Sequence, residues 1–196
     1  MRSTICGRLL LAGACLIFGR NLWGQQDGAE SPELPKLEVA VLYNSLLTNV
    51  VRANRFWMQG GSAELGANLI HGFGFAAEVT GTHTGSIGTS GVPLSLVSVT
   101  CGPRYRWHAG PRSSVYGEAM IGEADGFDSL FPATSGSLTS SNSLAVQVGG
   151  GADFHLSKRF ALRIDAAWMR TQLPNATDNV QNTLRLSGGI AIRFGR

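Results

Sequence analysis

Apolar and polar side chains alternate along residues 184–194 near the end of the chain. One row is Leu184, Leu186, Gly188, Ile190, Ile192 and Phe194, and the other is Arg185, Ser187, Gly189, Ala191 and Arg193. Successive side chains of a β-strand point to opposite faces, so the pattern predicts a strand with one apolar face. Its length of about eleven residues exceeds the usual 5–6 and matches the roughly 9–11 residues of a tilted bilayer-crossing strand.

Seven earlier segments repeat this alternation. They cover residues 37–44, 57–69, 73–80, 97–107, 115–122, 144–155 and 160–168. Eight alternating segments separated by turn residues are the signature of a small membrane barrel. The sequence therefore predicts an all-β chain that forms an eight-stranded antiparallel up-and-down transmembrane β-barrel.

The predicted connections alternate in length. The longer ones are residues 45–55, 82–93, 125–142 and 174–181, and the shorter ones are 70–72, 108–113 and 157–159. Outer-membrane barrels have short periplasmic turns and longer extracellular loops. We therefore expect both chain ends on the periplasmic side and the loops 45–55, 82–93 and 125–142 on the outside.

The composition of the polar row indicates which face meets lipid. It holds many small residues, mainly glycine and alanine, beside isolated charges, and the whole chain has only two lysines, Lys36 and Lys158, which is unlike a water-facing row. Aromatic residues of the apolar row fall near strand ends, as in the interfacial girdles of membrane barrels. We predict that the apolar row faces lipid. A soluble lipocalin-like carrier is the alternative, and it would have the two faces exchanged.

The interior is then expected to hold charges of both signs. The acidic side chains are Glu38, Glu64, Glu78, Glu118, Asp153 and Asp165, and the basic ones are Arg104, Arg106, Arg163, Arg185 and Arg193. An unpaired charge in a dry lumen is costly, so these groups should pair. About eight strands leave an interior that side chains can fill. We predict an ion-paired plug and no open channel.

The first residues indicate export. Arg2 and Arg8 precede an apolar run of about ten residues, which suits a signal peptide over residues 1–24 and is too short for a membrane helix. Residues 25–35 look like a flexible leader, and 36–196 form the predicted barrel domain. Three of the 16 Lys and Arg residues lie in the signal, against 13 Asp and Glu elsewhere, so the mature charge is balanced and no nucleic-acid partner is indicated.

Residues 149–166 resemble the penultimate hairpin of small barrels of the outer membrane protein A and X type. The ending Ile192-Arg193-Phe194 resembles the aromatic signal read by the barrel-assembly machinery. The resemblance implies an outer-membrane location, lipid contact, and periplasmic chaperones and the assembly machinery as partners, with Phe194 as the assembly signal. We expect a monomer with no cofactor, no metal and no enzymatic activity. Its role would be structural or porin-like within the cell envelope, or contact with a surface ligand through the loops.

His155 and Ser157 support an alternative function. Barrel-type lipid A deacylases carry a His-x-Ser pair in which histidine is the base for a serine nucleophile. Glu118, Asp153 or Asp165 would supply the acidic partner here. The predicted topology places this pair beside a tight periplasmic turn, whereas such an enzyme works at the outer leaflet, so a turn histidine and turn serine are favoured.

Overall fold

A computed structural model describes residues 36–51, 54–88, 90–110, 112–133, 136–175 and 178–195. The predicted signal and leader, residues 1–35, lie outside the described residues. The strands are β1 (Leu37–Val51), β2 (Asn54–Ile70), β3 (Phe73–Thr84), β4 (Leu94–Gly110), β5 (Ser113–Ala133), β6 (Gly136–His155), β7 (Phe160–Thr171) and β8 (Gln181–Phe194). Among the described residues, none lies in a helix of the length and hydrophobicity needed to span a bilayer.

The strands form a closed antiparallel barrel in chain order. Each strand pairs with the next one, and β8 closes the sheet on β1 in a register that sets Phe194 opposite Leu37 and Leu184 opposite Leu47. This confirms the predicted eight-stranded up-and-down barrel. We call the end that holds both described chain ends the terminal end, and the opposite end the distal end.

The predicted orientation of the two rows is correct. On β8, Leu186 is 45% exposed and Ile190 is 41% exposed, whereas Arg185 is only 3% exposed. The same contrast recurs on β7, where exposed and buried residues alternate strictly, and on β3, where only Ala77 and Thr84 are half-buried. The apolar row therefore covers the outside of the barrel, which is opposite to the arrangement of a soluble lipocalin-like carrier.

Exposed aromatic side chains surround both ends of this apolar surface. Those at the terminal end are Phe73, Phe75, Tyr105, Trp107, Phe154, Phe160 and Phe194, and those toward the distal end are Tyr43, Trp57 and Trp168. The ring centroids of Phe73 and Tyr105 are 4.7 Å apart, and those of Tyr105 and Trp107 are 5.7 Å apart. The barrel thus has an apolar band bordered by two aromatic belts.

Two of the predicted outer loops are mainly strand. The β1–β2 hairpin continues to Val51 and Asn54, and the β5–β6 hairpin continues to Ala133 and Gly136, so the expected loops 45–55 and 125–142 were wrong. The β3–β4 connection is a true loop from residue 85 to residue 93. The β1–β2 hairpin extends because buried and exposed side chains continue to alternate beyond the predicted end, for example where buried Leu46 pairs with buried Met58.

The distal half of the lumen contains a cluster of apolar side chains beside polar ones, which differs from the predicted ion-paired interior. We call this cluster the apolar layer, and its members are Leu46, Phe56, Met58, Leu94, Leu96, Ala124, Phe131, Ala145, Met169 and Leu173. These side chains continue the inward rows that hold charges nearer the terminal end. Both rows of a strand are therefore apolar at the distal end, and simple alternation cannot assign them to a face.

Candidate functional site in the barrel lumen

The strands bring all eleven predicted lumen residues to the inner face of the barrel. Eight of them meet at the terminal end and form what we call the ionic layer. Its members are Glu38 of β1, Glu64 of β2, Arg104 and Arg106 of β4, Glu118 of β5, Asp153 of β6, Arg163 of β7 and Arg193 of β8. Four carboxylates face four guanidinium groups, so the ionic layer has no net formal charge.

Arg104 is the most highly connected cation of the ionic layer. Its Nη1 and Nη2 atoms donate to Oε1 and Oε2 of Glu64, each at 2.6 Å. Its Nε donates to Glu118 at 2.9 Å, and Nη1 also donates to Glu38 at 3.0 Å. Charge-assisted bonds of this forked kind are stronger than neutral ones and fix the geometry of both partners.

Arg106 and Arg163 connect the remaining carboxylates. Nε and Nη2 of Arg163 donate to the two carboxylate oxygens of Asp153 at 2.7 and 2.9 Å, and Arg163 also donates to Glu38 at 2.8 Å and to Glu64. Arg106 donates to Glu38 at 2.6 Å and to Asp153. Glu38 therefore accepts from three arginines on two strands, and the layer joins opposite walls of the barrel.

Tyr116 provides an aromatic surface beside these cations. Its ring centroid lies 4.2 Å from the guanidinium carbon of Arg104, 4.9 Å from that of Arg163 and 5.2 Å from that of Arg106. Three cations within about 6 Å of one ring gain from its quadrupole, especially where water is excluded. The sequence could have indicated a role for Tyr116, because this aromatic residue lies on the inward row of β5 two residues from Glu118.

Arg185 forms a separate group in the middle of the lumen. Its Nη1 donates to Glu78 at 2.6 Å and to Thr80 at 3.3 Å, and its Nη2 lies 3.5 Å from Asp165. Gln147 also donates to Glu78 at 3.2 Å. Alternation along residues 144–155 puts Gln147 on the same face as Asp153, but it does not indicate the contact of Gln147 with Glu78.

The lumen is filled at three levels. The ionic layer closes the terminal end, the Arg185 group occupies the middle, and the apolar layer closes the distal end. Arg106, Arg163, Phe131, Leu46 and Met58 are among the largest fully buried side chains of the described residues. This packing fills the described lumen with side chains at all three levels.

His155 and Ser157 do not form the arrangement that a hydrolase needs. The Ser157 hydroxyl accepts hydrogen bonds from the backbone amides of Arg159 and Phe160 at 3.2 and 3.0 Å, which stabilises the β6–β7 turn. The His155 Nε2 atom instead lies 3.5 Å from the Ser114 hydroxyl. Both hydrogen bonds of Ser157 are those of a turn residue, and the base-to-nucleophile contact is not among those of the described residues.

A group of polar side chains and an open cleft lie at the distal end. The Ser95 hydroxyl donates to Asp128 at 2.9 Å and lies 2.9 Å from Nδ1 of His83, which connects β3, β4 and β5. An open cleft of about 530 Å³ lies nearby between residues 91–93 and the β5–β6 hairpin, with Phe127 and Leu130 in its lining. Within the described ranges, His, Cys, Asp and Glu side chains form no group of three or more suited to a metal ion.

Phe194 lies on the outer surface at the terminal end. It is the last residue of β8, it pairs with Leu37 at the seam of the barrel, and its ring is exposed. This position places the predicted assembly signal at the edge of the apolar band, on a strand that the mature barrel uses for closure.

Several solved structures share this fold at low sequence identity. Neisserial surface protein A (NspA) aligns at 14% identity and a TM-score of 0.66 over 81% of this chain and 97% of that one. Ail, the attachment invasion locus protein of Yersinia pestis, aligns in its complex with the heparin analogue sucrose octasulfate at 18% identity and a TM-score of 0.55, over 81% and 97%. The outer membrane protein OprG from Pseudomonas aeruginosa aligns at 8% identity and a TM-score of 0.51, over 83% and 97%.

No family model matches the sequence, and no curated protein matches it. At these identities the structural neighbours establish the fold and nothing further. The architecture is that of the small eight-stranded outer-membrane barrels.

Proposed function

We propose that this chain, which has the fold of the small outer-membrane barrels, is a structural or surface-contact protein of a bacterial outer membrane. The observation that carries the proposal is the continuous apolar exterior bordered by aromatic belts at both ends. Such a surface would aggregate in water, because apolar patches of this extent are rare on soluble monomers. It suits a bilayer, in which a closed barrel satisfies all backbone hydrogen bonds.

The filled lumen supports a role without transport or catalysis. Ion pairs occupy its terminal end, and large apolar side chains occupy its distal end. A protein of this kind contributes to the envelope through its stability and its exposed distal surface. We also propose that the protein is not an enzyme, because the Ser157 hydroxyl accepts a hydrogen bond within the β6–β7 turn.

The distal hairpins are the candidate contact surface. Leu130 and Leu138 are exposed on the β5–β6 hairpin, and Phe127 lines the adjacent cleft. Exposed apolar groups beyond an aromatic belt favour contact with another macromolecule. Ail, which has the same fold, has been solved in complex with a heparin analogue. In this chain, Glu123, Asp125, Asp128 and Asp178 lie at the distal end, so we favour an apolar or cationic partner surface over a polyanion.

We also propose how the chain reaches the membrane. Periplasmic chaperones would keep the unfolded chain soluble, and the barrel-assembly machinery would recognise Phe194 at the end of β8. The mature barrel would then remain in the membrane as a monomer, since the eight strands close on themselves and leave no unpaired edge.

The test is expression in a Gram-negative host, extraction of the outer membrane, and gel electrophoresis with and without boiling. A folded membrane barrel will migrate differently after boiling, and the purified protein will give no steady ion conductance in a planar bilayer. Recovery of the chain from the aqueous fraction without detergent would contradict the membrane location. Stable open channels would contradict the closed lumen.

A further inference from the structure

We propose that the terminal end of the barrel binds anionic phospholipid headgroups through a basic rim formed by Lys36, Arg112, Lys158 and Arg159. This inference rests on the proposed membrane function and adds the lipid class and the leaflet. All four side chains are exposed. They come from the start of β1, the β4–β5 turn and the β6–β7 turn, so they are distributed around the circumference.

The basic rim carries charge that the described protein does not neutralise. The carboxylates of Glu38, Glu64, Glu118 and Asp153 at this end are buried and engaged by the arginines of the ionic layer. The described turns 71–72, 112 and 156–159 contain no acidic residue. No ion pair joins any of the four rim cations to a carboxylate of the described residues. The described residues therefore supply no counter-charge to the basic rim.

The charge is different at the distal end. Among the described residues, Arg55 and Arg170 are the exposed cations there, and they share that end with Glu123, Asp125, Asp128 and Asp178. The barrel is thus basic at one end and mixed or acidic at the other. This axial asymmetry is hidden in the balanced charge of residues 25–196, in which 13 Lys and Arg residues stand against 13 Asp and Glu residues.

The position of the basic rim identifies the partner as a lipid. Lys158 and Arg159 directly precede Phe160, and Lys36 directly precedes Leu37, so each lies within one or two residues of the exposed apolar band. The connecting turns are too short to project these groups away from the membrane. Aromatic belts mark the level of the headgroups, and basic side chains at that level attract anionic lipids.

Backbone hydrogen bonds hold the rim in place. The Lys36 amide donates to the Gly195 carbonyl at 3.4 Å, the His155 amide donates to Arg112 at 2.8 Å, and the Arg193 amide donates to Arg159 at 2.9 Å. The turns that carry the cations are therefore anchored to neighbouring strands. A preformed ring of cations loses less entropy on binding headgroups than flexible tails would.

Electron paramagnetic resonance on the refolded full barrel in vesicles tests the proposal. Phosphatidylglycerol and phosphatidylcholine with the same spin-labelled acyl chain report how much of each lipid the protein surface immobilises. Either orientation of insertion brings the basic rim against a leaflet, since both leaflets have the same composition. We expect a preference for phosphatidylglycerol of about threefold or more, which high salt reduces.

Two double variants compare the ends of the barrel. Lys158→Gln with Arg159→Gln is expected to lose most of the preference, and Arg55→Gln with Arg170→Gln removes the same charge at the distal end and is expected to keep it. A variant is folded if its mobility on a gel changes when the sample is boiled. If the rim double variant does not fold, the single variants Lys36→Gln and Lys158→Gln replace it.

The outcomes separate this inference from the proposed function. Failure of the wild type to insert into vesicles would refute the membrane function itself. Insertion with equal immobilisation of both lipids, or with a preference that the rim variant retains, would refute the basic rim alone. Rim-dependent sedimentation with purified peptidoglycan, without lipid preference, would overturn it in favour of a cell-wall polymer.

Discussion

Arg104 and Glu64 face each other across the lumen and share two parallel hydrogen bonds of 2.6 Å. They are 40 residues apart in sequence and lie on β4 and β2, which are not neighbours in the sheet. The pair therefore spans the interior of the barrel and links strands that belong to different pairs of neighbours. Because both groups are buried, each depends on the other for the compensation of its charge.

Loss of Arg104 is expected to be strongly destabilising. Arg104→Met leaves Glu64 and Glu118 without their main cation, and the expected decrease in the free energy of unfolding is about 3–5 kcal/mol. Denaturant unfolding in lipid vesicles measures it. Arg170→Met, at an exposed outer position, is the control and is expected to change stability by less than about 0.5 kcal/mol. A double-mutant cycle with Glu64→Gln should show strong coupling, and additive effects would contradict the pairing.

The seam between β8 and β1 requires a residue without a side chain at Gly189. A Cβ atom there would lie 2.0 Å from the Val41 carbonyl oxygen and 2.8 Å from the Leu42 Cα. Gly189→Ala is therefore expected to reduce stability by about 1–3 kcal/mol, because the neighbouring backbone must move. Gly81→Ala is the control, since a Cβ atom at Gly81 meets nothing within 4 Å. Equal stability of the two variants would show that the seam can relax.

The apolar layer should keep the distal end of the lumen closed. Phe131 is buried in it, whereas its neighbour Leu130 is exposed. Phe131→Ala is expected to cost about 3–5 kcal/mol of unfolding free energy and to increase transient ion conductance in planar bilayers. Leu130→Ala should change neither property. Unchanged stability of the Phe131 variant would contradict the packing role of the apolar layer.

Two equally exposed residues of β6 test where the bilayer lies. Val148 and Leu138 are each 52% exposed, but Val148 is in the apolar band and Leu138 is on the distal hairpin. Val148→Lys is expected to cost about 2–4 kcal/mol if it faces the bilayer midplane, and Leu138→Lys about 0–1 kcal/mol. Unfolding in vesicles measures both values. Similar costs for the two variants would mean that the band is not surrounded by lipid.

We expect the conformation of the β7–β8 loop to depend on pH, because hydrogen bonds to the Asp178 carboxylate stabilise it. The Asn175 side-chain amide donates to its carboxylate at 3.0 Å and the Val180 amide donates to it at 3.1 Å, and these bonds lower the pKa of Asp178 below that of a free aspartate. Because the pKa is depressed in the fold, the stabilisation is present above the usual aspartate pKa and is lost as pH falls through the lowered value.

Nuclear magnetic resonance of the Asp178 carboxyl carbon during an acid titration measures this shift. Asn175→Ala is expected to raise the midpoint toward the ordinary value. An unchanged midpoint in that variant would assign the shift to another group.

The sequence predicted the strand number, the orientation of the faces and the eleven inward charged positions, because these follow from alternation at period two. Arg185 and Leu186 illustrate this, since their neighbouring positions on β8 already assign them to opposite faces. Which charges meet could not be predicted. Arg104 and Glu64 come together only because β2 and β4 are on one closed sheet, and contact across the lumen depends on strand stagger.

The distal half could not be predicted for a different reason. Leu46 and Leu47 are adjacent and both apolar, yet Leu46 is buried in the apolar layer and Leu47 pairs with exposed Trp57 and Leu184 on the other face. Where the inward and outward rows are both apolar, successive side chains still point to opposite faces of the sheet, but their polarity no longer shows which face is which. The predicted β1 and β2 therefore ended too early, and strand residues within 45–55 were assigned to a loop. Residues 137–143 were missed for another reason: they are mostly Ser and Thr and are exposed or half-buried on both faces of β6, so no alternation marked them as strand.

The backbone bond between Lys36 and Gly195 brings the two described ends of the fold into contact. A short peptide could therefore join them, and the chain could be reopened between Val51 and Asn54 at the opposite end of the barrel. Such a circular permutant would keep every neighbouring strand pair while exchanging which strand is made first and which last. It would move barrel closure from the β8–β1 pair to the β1–β2 pair, and so test whether assembly depends on which two strands close the sheet.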